Sequence, residues 1–367
     1  MKTYIFFLIL LTLFASIHFL YYSRVIKSLL ISSTAKRLLT TLISINFLFN
    51  ILYVVDRYSD ILPNGLYYLF SISIGVTFVL LLYIILHEIL HLFHRGIKDI
   101  DPSKRRFIKQ SGDGALMALS TAYISIGAYE GSKEPVVNVV KAGLFDFSIV
   151  QISDLHIGGL IDKAFVKHSV SKINSLKPDI VVITGDLIDT DIDSIVDAVL
   201  ELNGISSKYG VYMVLGNHEY FHNPIKIIEF MRRETHIEIL LNDSIAIEEL
   251  GVNIVGVTDI FGYRADILPP DALKAFGGRV REYPTILLAH QPKYIEYLGA
   301  FKPELILSGH THGGQIWPFD YLVRLQQPYL KGLHTLPYGG KIYVNSGIGF
   351  WGPPMRLGSE AEISYIV

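Results

Sequence analysis

An α-helical membrane region followed by an α/β layered domain is the architecture this sequence predicts, and three observations carry it. Three apolar runs near the N-terminus have the length a bilayer demands, about 20 residues each. From about Val136 onward the pattern changes to short β-branched runs separated by helical or turn-rich stretches. Composition shifts at the same place. Leu, Ile, Phe, Tyr and Val dominate up to about Tyr129, so the hydrophobic share of 50% and the charged share of 18% average two different regions. At 367 residues the chain is long for one domain, and the reading divides it into 1–131 and 132–367.

The formal net charge of −2 excludes a strongly basic, nucleic-acid-coating protein, and no nucleic-acid partner is expected. With no cysteine, neither a disulfide nor a thiolate metal site can contribute. Oligomeric state is not readable from these properties.

The apolar runs are Tyr4 to Tyr22, Leu38 to Val55 and Leu66 to about Phe93. A fourth, Ala115 to Tyr129, is shorter and richer in Ala, Ser and Gly. Only Lys2 precedes the first run and no clear small-x-small site follows it, so a retained span is expected rather than a cleaved signal. Arg24, Lys27, Lys36 and Arg37 lie between the first two runs. Arg95, Lys98, Lys104, Arg105, Arg106 and Lys109 lie between the third and the fourth. The connection Asp56 to Gly65 holds only Arg57 against Asp56 and Asp60. Both basic loops belong in the cytoplasm. If the fourth run also crosses, the C-terminal domain is extracytoplasmic. Ser103-Lys104-Arg105-Arg106-Phe107-Ile108-Lys109 resembles a twin-arginine export signal with Lys104 in place of the first arginine. A plain basic loop is the other reading, and both give the same topology.

His87-Glu88-Ile89-Leu90-His91 matches the H-E-x-x-H pattern of zinc peptidases, and His94 extends the same helical face. No other His, Asp or Glu lies in the spans near that depth to supply a third ligand. The run falls where the helix should leave the membrane, so the expectation is polar side chains facing headgroups. A structural metal or a haem is the alternative, and an intramembrane peptidase using His87, Glu88 and His91 a further one.

In the C-terminal part, Phe147 to Ile152, Ile180 to Thr184, Val211 to Leu215, Thr285 to Ala289, Leu305 to Ser308 and Lys341 to Val344 read as buried strands. Lys163 to Leu176 and Ile192 to Leu202 read as helices. Ile245 to Val257, with Gly251 near its middle, reads as a hairpin. Alternating strands and helices argue sheets covered by helices.

Five of these strands end in candidate metal ligands: Asp154 and His156; Asp186; Asn217 with His218 and Glu219; His290; and His310 with His312. Strand carboxyl ends form the crevice where α/β sheets bind ligands, so the groups should converge. Residues two apart beyond a strand can point the same way. Gly185, Gly216 and Gly309 permit tight turns beside them. Carboxylate, imidazole and amide together suit Mn, Fe or Zn rather than an all-oxygen Mg or Ca cage. Seven ligands fit two ions about 3.5–4 Å apart, the arrangement that clamps an in-line phosphoryl displacement.

Asp154-x-His156, Gly185-Asp186, Gly216-Asn217-His218-Glu219, His290 and Gly309-His310-x-His312 resemble the five ordered motifs of the calcineurin-like metallophosphoesterases. That resemblance implies a four-layer α/β/β/α sandwich. By position it implies that Asp154, His156 and His312 hold one metal, that Asn217, His290 and His310 hold the other, and that Asp186 bridges them. It implies His218 beside the substrate phosphate as an acid or charge stabiliser, and attack by a hydroxide bridging the metals. Gly313-Gly314-Gln315 and the preceding spans are similar to the branch of transmembrane and twin-arginine-exported members. Some members of that branch are associated with removing uridine monophosphate from UDP-diacylglucosamine. The expected activity is therefore hydrolysis of a phosphodiester, phosphomonoester or pyrophosphate, with a lipid-linked substrate at the bilayer as one form. A non-catalytic membrane protein with a structural or sensory metal domain is the alternative.

Overall fold

The structure is a computed structural model that describes residues 2–59, 64–96 and 101–367. Asp60 and Lys98 lie outside the described residues, as do the side chains of Arg57, His94 and Arg95. The chain separates into two compact units. One comprises Met1–Ser132 with Gly352–Met355, the other Lys133–Trp351 with Arg356–Val367.

The first unit is helical: α1 (Lys2–Leu20), continued by a π-helical turn Tyr21–Ile26, then α2 (Ser33–Ser59), α3 (Asn64–Gly96) and α4 (Pro102–Gly131). Among the described residues, three stretches are long and apolar enough to cross a membrane: Phe7–Ile26, Ser33–Asp56 and Leu66–Phe93. The segment Ala115 to Tyr129 does not join them by composition. Its helix nevertheless lies antiparallel to α3. Gly112 faces Leu90, the Tyr83 hydroxyl donates to the Asp113 carbonyl at 3.4 Å, and Leu116 is buried with Tyr83 and Ile84.

Inside the spans a polar ladder links α1, α2 and α3. The Asn46 amide donates to His18 Nε2 at 3.0 Å and to the Thr77 hydroxyl at 2.9 Å. Thr77 donates to Asn50 Oδ1 at 2.7 Å, and the Asn50 amide donates to Ser73 at 2.7 Å. In hydrocarbon such groups have no water to turn to, so interhelical bonds of this kind fix which helix faces meet.

Among the described residues, twelve strands of the second unit form two six-stranded sheets. They are β1 (Val136–Val140), β2 (Ile149–Ile152), β3 (Ile180–Thr184), β4 (Val211–Val214), β5 (Glu238–Ile239), β6 (Asp243–Ile247), β7 (Val252–Gly256), β8 (Thr285–Leu288), β9 (Leu305–Ser308), β10 (Gly332–Thr335), β11 (Lys341–Val344) and β12 (Glu362–Ile366). The sheet orders are β1-β12-β2-β3-β4-β5 and β10-β11-β9-β8-β7-β6. Helices α5 (Lys163–Ser175), α6 (Val196–Leu200), α7 (Asn217–Phe221), α8 (Pro224–Glu234), α9 (Phe261–Ala265), α10 (Ala272–Gly277) and α11 (Asp320–Arg324) complete it.

Strand alternation assigns the layers. Ile180 and Val182 of β3 pack with Ile286 and Leu288 of β8 and Leu305 and Leu307 of β9, between the sheets. Val181 and Ile183 face instead Val166, Val170 and Ile173 of α5 and Ile227 and Met231 of α8. On the other sheet, Leu287 and Ile306 pack with Ala275 and Phe276 of α10. The result is the α/β/β/α sandwich, and burial on both faces explains the continuous apolar runs. β2, β3 and β4 are parallel neighbours in one sheet, β8 and β9 in the other, so their carboxyl ends open to one side.

Candidate metal centre

Every candidate ligand sits past a strand end, and five of the seven occupy backbone conformations adopted at some cost. Asp154, His156, Asp186, His310 and His312 all have positive φ, between 49° and 70°. Non-glycine residues rarely occupy this region, and each costs of order 1–3 kcal/mol when they do. Five such residues around one point mark a site where side-chain direction outweighs backbone comfort. Gly185 shows how tight the approach is. A Cβ there would come within 2.7 Å of His290 Nδ1 and 2.6 Å of the Gly216 nitrogen.

The sheets supply the ligands jointly. Asp154, His156 and His312 bring ligand atoms within 4.8 Å of one another, and so do Asp186, His290 and His310. Each triad therefore combines ends of β2 or β3 with ends of β8 or β9. Asp186 stands between them. Its Oδ2 lies 3.1 Å from His290 Nε2 on one side and 4.0 Å from His156 Nε2 on the other. Asn217 points Oδ1 at His290 Nε2 at 3.2 Å. All seven residues expected as ligands are brought into this cluster.

The chemistry of these groups asks for cations. His290 Nδ1 donates to the Thr184 carbonyl at 2.7 Å, which leaves Nε2 aimed at Asp186 Oδ2 and Asn217 Oδ1, two acceptors that draw a proton or a metal ion to that nitrogen. His156 and His312 face each other through Nε2 at 3.1 Å, with Asp154 Oδ1 3.4 Å from His312 Nε2. Among the described residues the Nδ1 atoms of His156 and His312 lack a close hydrogen-bond partner, with Asp189 Oδ1 3.8 Å from His156 Nδ1. Burial opposes charge on His290, but Asp186 and Asp154 outweigh it and raise its pKa well above the ordinary value. Burial, then the charge of His290, drives His310 down to about 3, leaving a neutral imidazole with a free lone pair. Lone pairs converging on two points in a buried site fit divalent metal ions.

His218 is at the rim of the cluster. Its Nδ1 lies 2.5 Å from Asp189 Oδ1, its Nε2 3.9 Å from Asp186 Oδ2, and its ring is edge-on to His156 at 4.5 Å.

Glu219, quoted in the motifs without a role, has one here, as do two residues outside them, Asp189 and Arg356. Asp189 holds His218, as described. The buried Glu219 carboxylate accepts backbone N–H bonds from Asp186, Leu187, Ile188 and Gly216, at 2.7 to 3.1 Å. It thereby ties the β3 turn to the β4 turn. Burial, then Asp186, pushes its pKa up to about 7. Arg356, 1% exposed, donates to the carbonyls of Ser346, Gly347, Gly349 and Glu360, and so shapes the loop that places Gly347 against His312. A lone arginine in a loop carries no sequence signature of such a role.

The structure corrects one expectation. His87 does not face headgroups. It is buried, with Nε2 3.2 Å from the Ser28 hydroxyl and 3.7 Å from Asp113 Oδ1 on α4. The pattern search overlooked Asp113 because it precedes the fourth apolar run. Among the described residues no triad of metal ligands forms around His87, Glu88 and His91. Lys109, 3.0 Å from Asp113, makes the cluster a buried polar tie between helices.

Comparison with known proteins follows the same lines. The family model described as calcineurin-like phosphoesterase matches residues 147–314, which hold all seven candidate ligands. A metallophosphoesterase of Helicobacter pylori is 36% identical over 84% of each chain. The chain belongs to the calcineurin-like metallophosphoesterases. A transmembrane protein with metallophosphoesterase domain from Bos taurus is 31% identical over 74% of this chain and 65% of that one. The UDP-2,3-diacylglucosamine pyrophosphatase LpxG of Chlamydia muridarum is 30% identical over 60% of this chain and 83% of its own. Three apolar helices and transmembrane relatives make this metallophosphoesterase a membrane protein.

Glu219→Gln would replace a four-way acceptor by an amide whose NH2 faces backbone donors. We expect it to destabilise the phosphoesterase unit by about 3 kcal/mol, the scale of charge-assisted bonds lost from a buried site. Thermal unfolding of the purified chain would read this as a lower midpoint, and an unchanged midpoint would contradict the clamp assigned to Glu219.

Proposed function

We propose that the chain is a membrane-anchored, dinuclear metal-dependent phosphoesterase whose catalytic domain is 132–367. We further propose that its substrate is a phosphate ester or pyrophosphate carried by a membrane lipid. The observation that carries this reading is the pair of adjoining ligand triads with Asp186 between them. Asp154, His156 and His312 would hold one ion, Asn217, His290 and His310 the other, with Asp186 shared. Mn, Fe and Zn all suit the donor set. Two such ions lower the pKa of water and neutralise charge on the phosphoryl oxygens.

The chain's own groups do the rest. Thr184 fixes the tautomer of His290 by accepting its Nδ1 proton, which keeps Nε2 aimed inward. Asp189 orients His218, so that the ring's other nitrogen can give a proton or a hydrogen bond to a phosphoryl or leaving-group oxygen. The lipid-linked substrate rests on the membrane spans together with the pyrophosphatase relative, whose named substrate is a nucleotide-linked lipid.

The same reading puts the catalytic domain outside the cytoplasm. From Leu116 to Gly131, α4 advances roughly 22 Å beside α3, and Tyr83 back to Leu66 covers roughly 26 Å, at 1.5 Å per residue. α4 thus retraces α3 nearly to the start of its span. It turns Leu119, Ile126 and Tyr129 outward, as a lipid-facing helix would. Four crossings follow, with both basic loops on the cytoplasmic side.

The enzymatic claim is tested with the full chain in detergent and Mn, on bis-p-nitrophenyl phosphate, p-nitrophenyl phosphate and a UDP-linked lipid. Metal-dependent turnover is expected, with Asp186→Ala lowering kcat by about 10³-fold or more, since one carboxylate serves both ions. Inactivity of the wild type with metal bound would instead favour the sensory or structural alternative.

Topology is read from introduced thiols, because the chain has no cysteine of its own. In intact cells an impermeant maleimide should label Ser206→Cys and leave Thr34→Cys unlabelled until lysis. The reverse pattern would place the domain in the cytoplasm.

A further inference from the structure

Past His312 the chain carries an exposed apolar surface. The helix α11, Asp320–Arg324, has no buried residue. Yet it and its flanks read Trp317-Pro318-Phe319-Asp320-Tyr321-Leu322-Val323-Arg324-Leu325. Trp317 is 53% exposed, Tyr321 62%, Leu322 55% and Leu325 81%. Trp351, also exposed, joins them from the 345–360 loop, its ring centroid 6.1 Å from that of Phe319. Single apolar side chains are ordinary on a protein surface, but a contiguous group of this kind marks a face that something covers.

The face is built rather than loose. The Gln315 side chain donates Nε2 to the Trp351 carbonyl at 3.1 Å and accepts the Trp351 N–H at 3.0 Å. Trp317 N–H donates to the Leu357 carbonyl at 2.8 Å. Gln315 N–H in turn donates to the His312 carbonyl at 3.0 Å, so the face and a metal ligand share one short stretch of backbone.

We propose that Trp317, Tyr321, Leu322, Leu325 and Trp351 dock on the lipid bilayer, and that this face brings the metal centre to the membrane surface where a lipid-linked phosphate is presented. Two observations favour lipid over a protein partner. Residues Gly352–Met355, directly after Trp351, group with the helical unit, and Met355 lies against Gly75 inside the span Leu66–Phe93. Trp351 is therefore joined along the chain to a segment that belongs with the membrane helices. The composition also fits. Tryptophan and tyrosine favour the headgroup level and leucines reach the acyl boundary, while Arg324, 3.9 Å from Asp320, and Lys331, on the Gly358 carbonyl, supply positive charge near them. The proposal deepens the lipid-linked reading given above and depends on it only for the enzymatic arm of its test.

Trp317 and Trp351 are the only tryptophans in the chain, so intrinsic fluorescence reports this face alone. The full chain is reconstituted in nanodiscs of phosphatidylcholine, either plain or brominated on the acyl chains near the glycerol. Trp317→Phe and Trp351→Phe separate the two emitters. Each remaining tryptophan should lose most of its emission in the brominated discs, and Leu322→Asp with Leu325→Asp should restore it. The same double variant should lower turnover of a lipid-linked pyrophosphate about tenfold, the scale of a lost docking contact, and leave bis-p-nitrophenyl phosphate turnover unchanged. Emission typical of water-exposed indole in both kinds of disc overturns the proposal. So does shielded emission that bromine does not quench, accompanied by cross-linked dimers, because a second copy would then cover the face. If the wild type hydrolyses no lipid-linked substrate while quenching is seen, the substrate reading fails and the docking face stands.

Discussion

Carboxylates and imidazoles packed out of water around the same two points are the constraint around which this fold is arranged. Asp154, His156, Asp186, Asn217, His290, His310 and His312 come from five strand ends in two sheets. Burying so many such groups together is costly, and cations placed among them would relieve it. The surroundings hold the geometry open. Glu219 binds four backbone N–H groups across two turns, Arg356 gathers four carbonyls, and the His310 N–H donates to Asp154 at 2.9 Å across the sheet interface. Left-handed backbone at five ligands is the counterpart of that order. A rigid sandwich core tolerates local strain that an isolated loop would relax.

The site was more legible than the fold. Metal ligation needs particular residue types at particular offsets from a strand, and both are written in the sequence at Asp154-x-His156 and His310-x-His312. β3, β9 and β11 run from Ile180, Leu305 and Lys341 as expected, because continuous apolar runs bounded by turns leave little freedom. The strands β1, β5, β10 and β12 were not legible. β5 spans two residues, and β1 is largely exposed and pairs with a strand more than 200 positions away. β12 buries Glu362 and Ser364, polar residues that break the apolar pattern a strand reading relies on, but which bond Tyr343 and Asn345 in place. Helix Ile192 to Leu202 is shorter than its periodicity implied, with 3₁₀ turns at both ends of α6.

In the membrane unit a local pattern misled where a long-range one was needed. H-E-x-x-H reads as metal chemistry or as headgroup contact when α3 is considered alone. Packed beside α4, His87 meets Asp113 and Ser28, and its burial has a structural cause. The ladder from His18 through Asn46, Thr77 and Asn50 to Ser73 was invisible for the same reason: each residue is unremarkable on its own helix and gains meaning only across three.

The central claim is that these strand ends hold two ions with Asp186 between them. Anomalous diffraction from crystals of the Mn-loaded full chain tests it directly. The account predicts two manganese peaks about 3.5–4 Å apart, one beside Asp154, His156 and His312, the other beside Asn217, His290 and His310, with the Asp186 carboxylate touching both. A single peak, or two peaks that do not share Asp186, would contradict it.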